Sequence, residues 1–358
     1  MKSSIRHKIA KIFANAKNTD VIVLVNNNSQ DPNFAYLAGY TSGVFEYDLL
    51  VFTKTRAYHI TSQLEYQTAL LQKHPEIKIV LRNKEGDHKK LLKRLINGKR
   101  VGINGSFLTV ESYQAIKKKY TAKKMVDVSE AFAKARLIKD SQEIEEIKGA
   151  IRITKWAMLQ IQQDFKEGIT ERQLAAKFDY ISSSLGAQKP SFDTIVCFGK
   201  NAALPHHMPD ETKLKAGDFI LIDAGSKVNN YCSDLTRTFL FTKEKNKEME
   251  EVYNTVKEAR IRAIHAIKVG ATGEEIHKVA NDYIESANGG IYKGKFIHAL
   301  GHSLGIEVHD GVGFWPGASQ RLEAGMVITV EPGIYIEGFG GVRIEDDILI
   351  TKDGAIIL

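Results

Sequence analysis

The sequence contains little cysteine and no long apolar run, and each of these shortages excludes a class of protein. Cys197 and Cys232 are the only two cysteines in 358 residues, too few for a disulfide framework or a thiolate metal cage. Any metal ion must therefore be held by oxygen and nitrogen ligands. No stretch of about 18 consecutive apolar residues occurs, which excludes a membrane-spanning helix.

The amino terminus lacks the uninterrupted apolar segment of a secretory signal, because Lys11 and Lys17 interrupt it. We therefore expect a cytoplasmic protein with no membrane partner. Its composition, 43% hydrophobic and 26% charged residues, is typical of a soluble globular chain. A chain of 358 residues is too long for one ordinary core, so two domains are predicted.

The net charge of +7, with an isoelectric point near 9.0, raises the question of nucleic-acid binding. Lysines cluster at residues 88–100 and 117–124. Neither cluster is interleaved with stacking aromatic residues or lies in a known nucleic-acid-reading motif. A solvated lysine-rich surface is the simpler interpretation, and a nucleic-acid partner is not expected.

The first third of the chain alternates apolar runs with amphipathic segments, which is an α/β pattern. The runs predict strands at residues 21–25, 49–52, 77–82 and 99–104. From about residue 140 the pattern changes, since apolar residues recur at helical spacing from Ile144 to Ile161 after a capping Asp140 or Ser141.

Two segments of the second half resemble each other. Residues 166–174 and 268–276 share lysine, glycine, threonine and an aliphatic residue at equal spacing. Both contain a capping box, which begins at Thr170 in the first segment and at Thr272 in the second. We interpret the repeat as a duplicated helix–helix–strand unit whose halves are related by a pseudo-two-fold. A site in such a fold would lie between the halves, on the strands.

Four acidic residues stand at apolar, strand-like runs, where an unpaired carboxylate is costly to bury. They are Asp223, Asp234, Glu331 and Glu345. A single such carboxylate is commonly an ion pair or an edge residue, but four together with the glycine-flanked His302 indicate a compensating cation. The set exceeds what one tetrahedral zinc takes and suits two ions bridged by shared carboxylates. Its oxygen-rich composition favours manganese, cobalt or iron.

The stretch from Gly301 to Asp310 contains two histidines seven residues apart. They could be metal ligands, catalytic groups or polar residues at the end of a strand. Strand side chains alternate, so a strand would place His302 and His309 on opposite faces. The pattern therefore predicts different roles for the two imidazoles, or none.

The acidic residues, His302 and the segments around them resemble the pita-bread metallopeptidases, a family that includes methionine aminopeptidase, aminopeptidase P and prolidase. The segments that carry the likeness are DAG with YCSDLTRTF, FIHALGHSLGIEVHD, VEPGIYI and GGVRIEDD. The family's ordered set of two aspartates, a histidine and two glutamates is similar to Asp223, Asp234, His302, Glu331 and Glu345. Upstream, DPNFAYLAGY resembles the amino-terminal domain of the proline-specific branch and of creatinase, and ARLIKDSQEIEEI resembles the junction with their catalytic half.

The resemblance implies an α+β fold of two domains. It places a creatinase-like α/β domain at residues 1–134 and a pita-bread catalytic domain at residues 135–358. The chain departs from the family at Asn230, where glycine is common; asparagine tolerates positive φ better than most residues. It also has ALGHSLG where GTGHGVG is common, and this difference concerns substrate preference.

The resemblance further implies the metal ligands and the nucleophile. Two divalent cations, manganese first and cobalt, iron or zinc as alternatives, would share Asp234 and Glu345. Asp223 would bind one ion, and His302 and Glu331 would bind the other. A hydroxide between the ions would be the nucleophile, and Glu331 would pass a proton to the departing amine.

Other residues are implied on the substrate side. His309 would contact the substrate and steady the tetrahedral intermediate, and His206, favoured over His207, would act in the same pocket. His298 would line that pocket. Arg343 would lie at the substrate site and brace the carboxylates.

By the same resemblance, the predicted reaction is hydrolysis of the bond before proline in small peptides with proline at the second position. The enzyme would be either a prolidase (Xaa-Pro dipeptidase) or an aminopeptidase P. In either case the resemblance implies a homodimer. The Xaa-Pro link has no N–H and a fixed φ, so peptidases that bind extended strands handle it badly. A methionine aminopeptidase-like or creatinase-like hydrolase and a non-catalytic nucleic-acid-binding relative remain the alternatives.

Overall fold

The computed structural model describes residues 4–72, 74–83, 85–241 and 246–358. The chain divides into two compact units, Met1–Arg136 and Leu137–Leu358. Each unit buries apolar residues of its own, so the predicted two-domain organisation of mixed α and β structure is confirmed. None of the helices in these ranges combines the length and apolar character that crossing a membrane requires.

The amino-terminal unit is built on one mixed six-stranded sheet in the order β4-β3-β2-β1-β5-β6. Its strands are β1 (Val21–Val25), β2 (Leu49–Phe52), β3 (Ala57–Thr61), β4 (Ile77–Leu81), β5 (Arg100–Ile103) and β6 (Lys124–Asp127). Its helices are α1 (Ile5–Asn15), α2 (Pro32–Ala38), α3 (Tyr66–Gln72), α4 (Asp87–Ile96), α5 (Val110–Lys119) and α6 (Ser129–Leu137).

The four predicted strands of this unit are confirmed as β1, β2, β4 and β5, whereas β3 and β6 were not predicted. Strand β3 is fully buried although it contains His59. The ring of His59 lies there because its Nε2 is 2.8 Å from Asp48 Oδ2, and a polar residue with a partner can be buried. Strand β6 is a short, half-exposed edge, so its apolar signal is weak.

The carboxy-terminal unit contains four long helices and a set of small sheets. The helices are α7 (Ser141–Gln160), α8 (Glu171–Ser184), α9 (Lys247–Ala266) and α10 (Gly273–Ser286). The strands before α9 are β7 (Lys189–Pro190), β8 (Ile195–Phe198), β9 (Asp218–Ala224), β10 (Ser226–Val228), β11 (Tyr231–Cys232) and β12 (Leu235–Phe241). Those after α10 are β13 (Gly301–His302), β14 (Gly313–Phe314), β15 (Val327–Val330), β16 (Gly333–Ile336), β17 (Gly340–Arg343), β18 (Asp346–Thr351) and β19 (Gly354–Ile357).

The two helical pairs of this unit, α7 with α8 and α9 with α10, are built alike. Both α8 and α10 begin with the predicted capping box. Two residues before each cap, a glycine with positive φ donates its N–H to a leucine carbonyl: Gly168 to Leu214 and Gly270 to Leu322, each at 2.9 Å. The structure therefore contains the repeat that the sequence pattern predicts.

The strands that follow each helical pair form antiparallel sheets. Strand β9 pairs with β8 and β12, and β15 pairs with β18, which pairs with β19. One core cluster packs α7 and α8 on β8 and β9, and another packs α9 and α10 on β15 and β18. The turn from β10 to β11 runs through Asn229 and Asn230, both at positive φ, so asparagine does adopt the conformation that often needs glycine.

Candidate metal centre

Two of the predicted acids come from the neighbouring strands β9 and β12. Asp223 lies on β9 directly opposite Thr236 of β12, so both side chains lie on one face of the sheet. Asp234 stands one residue before β12 and two before Thr236, and alternation directs it to the same face. The hairpin therefore brings two carboxylates together that are eleven positions apart.

Glu345 joins these acids from the connection between β17 and β18. The Thr236 hydroxyl donates to Glu345 Oε2 at 2.7 Å, and the Glu345 N–H donates to the Thr236 carbonyl at 3.1 Å. One threonine thus holds both the side chain and the backbone of Glu345. Together with His302, Asp234 and Glu345 form a group whose ligand atoms all lie within 4.8 Å of one another.

His302 and Glu331 are fixed by a single threonine of β15. The Thr329 hydroxyl accepts the His302 N–H at 3.0 Å and donates to Glu331 Oε1 at 3.2 Å. His302 Nε2 lies 3.4 Å from Glu331 Oε1 and 3.5 Å from Asp234 Oδ2. Its other ring nitrogen, Nδ1, faces the Ser303 carbonyl at 3.3 Å, which leaves Nε2 toward the carboxylates.

The prediction that His302 and His309 lie on opposite faces is wrong. Only Gly301–His302 is strand, and the chain then bends until the Asp310 N–H donates back to the Ser303 carbonyl at 2.8 Å. Strand alternation does not apply across such a bend. The two imidazoles lie edge to face with their centroids 4.2 Å apart.

Arg343 is the buried cation beside the acids. It is 3% exposed, and its guanidinium donates to Asp223 Oδ2 at 2.6 Å, to the Tyr335 hydroxyl at 2.8 Å and to Thr236 Oγ1 at 3.1 Å. The Tyr335 hydroxyl also lies 2.8 Å from His298 Nε2. The Tyr335 hydroxyl therefore forms hydrogen bonds with both Arg343 and His298.

The two adjacent histidines of the loop after β8 lie in different surroundings. His207 is in contact with Glu171, its Nε2 lying 2.8 Å from Oε2. His206 is exposed, and its charge contributes to the low pKa of His298, which burial and then Arg343 depress to about 4. His206 is therefore open to solvent, whereas His207 is held by Glu171.

The pKa values of the buried acids are raised and that of His302 is lowered, because the charged forms are removed from water and the carboxylates lie close together. Burial raises the pKa of Glu331 to about 8, against the opposing effect of Arg343. Burial followed by repulsion from neighbouring carboxylates raises the pKa of Asp234 and of Glu345 well above their ordinary values. Burial and then His309 lower the pKa of His302 to about 4, which keeps its imidazole neutral and able to bind a metal.

Several buried carboxylate oxygens lack a hydrogen-bond donor among the described residues. They include Asp223 Oδ1, Glu345 Oε1 and Asp347 Oδ1. Buried polar atoms are normally paired, and a ring of carboxylates beside one arginine is normally compensated by cations. The donor set of oxygens with one imidazole nitrogen therefore fits divalent metal ions.

Some residues of the cluster were not predicted as site residues. The sequence does not single out three hydroxyl residues, because threonine and tyrosine are ordinary residues of apolar strands. They are Thr236, Thr329 and Tyr335. Asp347 was also not predicted; its Oδ2 accepts the Asp234 N–H at 3.2 Å. The spacing of Thr236 and Thr329, each two residues from a predicted ligand, is the signal that strand alternation offered.

A duplicated α/β unit that gathers carboxylates and one histidine on and beside its strands is typical of a metal-dependent hydrolase. The chain belongs to metallopeptidase family M24, whose profile matches residues 145–352, and the creatinase/prolidase N-terminal domain profile matches residues 6–138. The resemblance to the pita-bread metallopeptidases is therefore confirmed.

Several relatives and solved structures that are similar to this chain are named as Xaa-Pro peptidases. The chain is 35% identical to the Xaa-Pro dipeptidase of Pyrococcus horikoshii, over 97% of this chain and 95% of that one. Among solved structures it is similar to the Xaa-Pro dipeptidase from Bacillus anthracis, with a TM-score of 0.87, 34% identity, and coverage of 99% of this chain and 97% of that one. It is also similar to the X-Pro aminopeptidase from Thermotoga maritima, with a TM-score of 0.87, 31% identity and coverage of 95% of both chains. These names do not favour the methionine aminopeptidase, creatinase or nucleic-acid-binding alternatives.

Proposed function

We propose that this metallopeptidase hydrolyses the peptide bond before proline in small Xaa-Pro peptides. The observation that carries the proposal is the gathering of buried carboxylates and one neutral histidine, with carboxylate oxygens left unpaired, at the centre of an M24 fold. The names of its relatives supply the choice of substrate. Both dipeptidase and aminopeptidase forms stay within this proposal.

The metal ligands in this proposal are Asp223, Asp234, His302, Glu331 and Glu345. Asp234 and Glu345 would help to hold both of two cations, Asp223 would help to hold one, and His302 and Glu331 would help to hold the other. When bound, the cations lower the pKa of water and polarise the scissile carbonyl. Manganese is our first choice, with cobalt, iron and zinc following, because the ligands are mainly oxygens.

Glu331 moves the proton in the proposed reaction. Its Oε1 is held by the Thr329 hydroxyl and lies 3.4 Å from His302 Nε2. A carboxylate held in this position can both accept a proton and release it. Glu331 accepts the proton of the attacking water and passes it to the departing proline nitrogen.

The remaining histidines serve the substrate in this proposal. His309, whose ring meets the edge of His302, and His206 donate to the developing oxyanion, which a positioned donor stabilises. His298 lines the pocket and is oriented by Tyr335. Arg343 keeps Asp223 and Tyr335 in place at the substrate site and compensates part of the negative charge.

The test is a cleavage assay across peptide length and metal. We expect Ala-Pro or Ala-Pro-Ala to be cleaved once manganese, cobalt or zinc is restored to chelator-treated protein, and Asp234→Asn to remove both cleavage and metal binding. Full activity in metal-depleted protein would contradict the proposal. So would cleavage of Met-Ala-Ser, or release of urea from creatine, in preference to the Xaa-Pro peptides.

Three finer features belong to the same proposal. We place the domain boundary between residues 134 and 135, on the resemblance of residues 135–147 to the start of the family's catalytic half. A homodimer rests on the same resemblance. A cytoplasmic location is supported by Cys197 and Cys232, which are both free thiols, as a reducing compartment maintains.

A further inference from the structure

A second group with the composition of a metal site lies at the start of α8. Glu171, His207 and Asp210 offer ligand atoms within 4.8 Å of one another. Glu171 is fully buried, but unlike Asp223 and Glu345 it has a donor for both carboxylate oxygens. The group is therefore a completed hydrogen-bond network and not a cation site.

Four donors surround the Glu171 carboxylate. Oε1 accepts the Phe198 N–H at 2.7 Å and the Asn201 side-chain N–H at 3.0 Å. Oε2 accepts from His207 Nε2 at 2.8 Å and from the Asp210 N–H at 3.2 Å. We call residues 198–210 the His206 loop. The Glu171 carboxylate on α8 thus accepts hydrogen bonds from both ends of this loop.

We propose that Glu171 and His207 are positioning residues that hold the His206 loop so that His206 faces the substrate. The inference rests on the role of His206 in the proposed function. His207 is fixed by Glu171, and Pro205 fixes its own φ, so His206 is flanked by two constrained neighbours. Its backbone therefore has little freedom to turn the imidazole away.

The same loop also packs against strand β17, which carries Arg343. A Cβ added at Gly341 would lie 2.1 Å from the Ala202 carbonyl oxygen, and one at Gly340 would lie 2.9 Å from the Gly199 carbonyl oxygen. The loop backbone therefore lies directly on the first two residues of β17. The loop therefore contacts both Glu171 and this strand.

A double-mutant cycle tests the proposal in the metal-loaded enzyme with Ala-Pro as substrate. We expect His207→Leu to lower kcat/KM at least about tenfold, because small misplacements of a catalytic group are costly. In a His206→Ala background the same substitution should have an effect of less than about twofold, since residues that act as one unit are not additive. His207→Gln, which keeps a donor for Glu171, should recover most of the loss. His265→Leu, an exposed histidine of α9, is the matched control.

Two outcomes would overturn the proposal. One is an unchanged kcat/KM in His207→Leu. The other is an equal loss in both backgrounds, which would mean that His207 acts without His206. Metal content and melting temperature, recorded for every variant, separate these results from misfolding.

A second measurement keeps the inference distinct from the proposed function. Glu171→Gln replaces one of the two acceptor oxygens with an amide N–H₂ group, so at least one of the Phe198 and Asp210 amides, which donate to different oxygens, should exchange hydrogen faster than in the wild type. The exposed control Glu167→Gln should leave both amides unchanged. This result does not depend on the peptide cleaved. If the wild type cleaves no Xaa-Pro peptide, the proposed function fails, and unchanged exchange in Glu171→Gln would separately refute the anchoring of the loop.

Discussion

At the scale of single residues, the centre is a set of buried acids with one buried arginine. Arg343 pairs with Asp223 alone among them at 2.6 Å, and Asp234 and Glu345 have no cationic side chain in a salt bridge among the described residues. Removing carboxylates from water without partners is costly. Bound cations would compensate this cost in the proposed enzyme.

The proton-carrying role of Glu331 leads to a direct prediction. Glu331→Gln keeps the shape of the side chain and an oxygen that can accept from Thr329, but it cannot carry a proton. We expect kcat for Ala-Pro to fall by about 10²- to 10⁴-fold, the range that a positioned acid–base group supplies. Steady-state assays at saturating metal measure the change, with the exposed Glu337→Gln as control. Wild-type kcat in the Glu331 variant would rule out this role.

Tyr335 connects Arg343 to His298, and its hydroxyl should contribute to stability. Tyr335→Phe leaves the buried Arg343 Nη1 without its partner at 2.8 Å. We expect the free energy of unfolding to fall by about 1–3 kcal/mol, the penalty for an unsatisfied buried polar group. Urea unfolding of the metal-loaded protein measures it, and Tyr180→Phe, at 74% exposure, should have no effect. Equal stability of the two variants would show that the hydroxyl is dispensable.

At the scale of elements, the site depends on close approach between segments. Gly341 on β17 is the clearest case, because its Cβ position lies 2.1 Å from the Ala202 carbonyl oxygen. The glycine is needed for space here, since its φ is not in the left-handed region.

We therefore expect Gly341→Ala to destabilise the protein by at least about 1–3 kcal/mol, the usual cost of overpacking. The matched control is Gly149→Ala on α7, where the nearest atom to an added Cβ is 3.7 Å away, at the end of the Arg152 side chain. That change should stabilise by up to about 1 kcal/mol, because alanine is the better helix former. Chemical unfolding of both variants decides the point, and similar stability changes in the two would contradict the steric argument.

The sequence predicts those parts of the site that break a local rule. Acids that directly follow runs of apolar residues, such as Asp223 and Glu331, stand out because burial of a carboxylate is costly. Tyr335 and Thr236 do not stand out, since their apolar atoms suit a strand interior and their hydrogen-bond partners are distant in the chain. The relation between His302 and His309 was mispredicted because a bend, which no periodicity reveals, replaces the strand. Strand β3 was missed because the partner that permits burial of His59 lies on another segment.

At the scale of the whole molecule, the acids should couple metal binding to pH. The folded-state pKa of Glu331, about 8, lies above its ordinary value of 4.5. Folded metal-free protein therefore holds this proton more tightly than the unfolded chain, and its free energy of unfolding decreases as pH rises from the ordinary value through about 8. The low pKa values of His298 and His302 act in the opposite sense only below about pH 6.5, the ordinary histidine value.

We expect the melting temperature of metal-free protein to fall between about pH 7 and about pH 9, a window above the histidine effect. Added manganese should raise the melting temperature more at the higher pH, because fewer protons must leave as the ion binds. Scanning calorimetry with chelator and with metal measures both trends. A manganese-induced increase that is the same across this window would contradict the coupling.

The central claim is that five side chains from separate segments of the chain converge on a pair of cations. Anomalous diffraction from crystals grown with manganese tests it most directly. The account predicts two manganese peaks, with Asp234 and Glu345 contacting both, Asp223 contacting one, and His302 and Glu331 contacting the other. The absence of any peak among these five residues, or manganese bound only elsewhere in the protein, would contradict it.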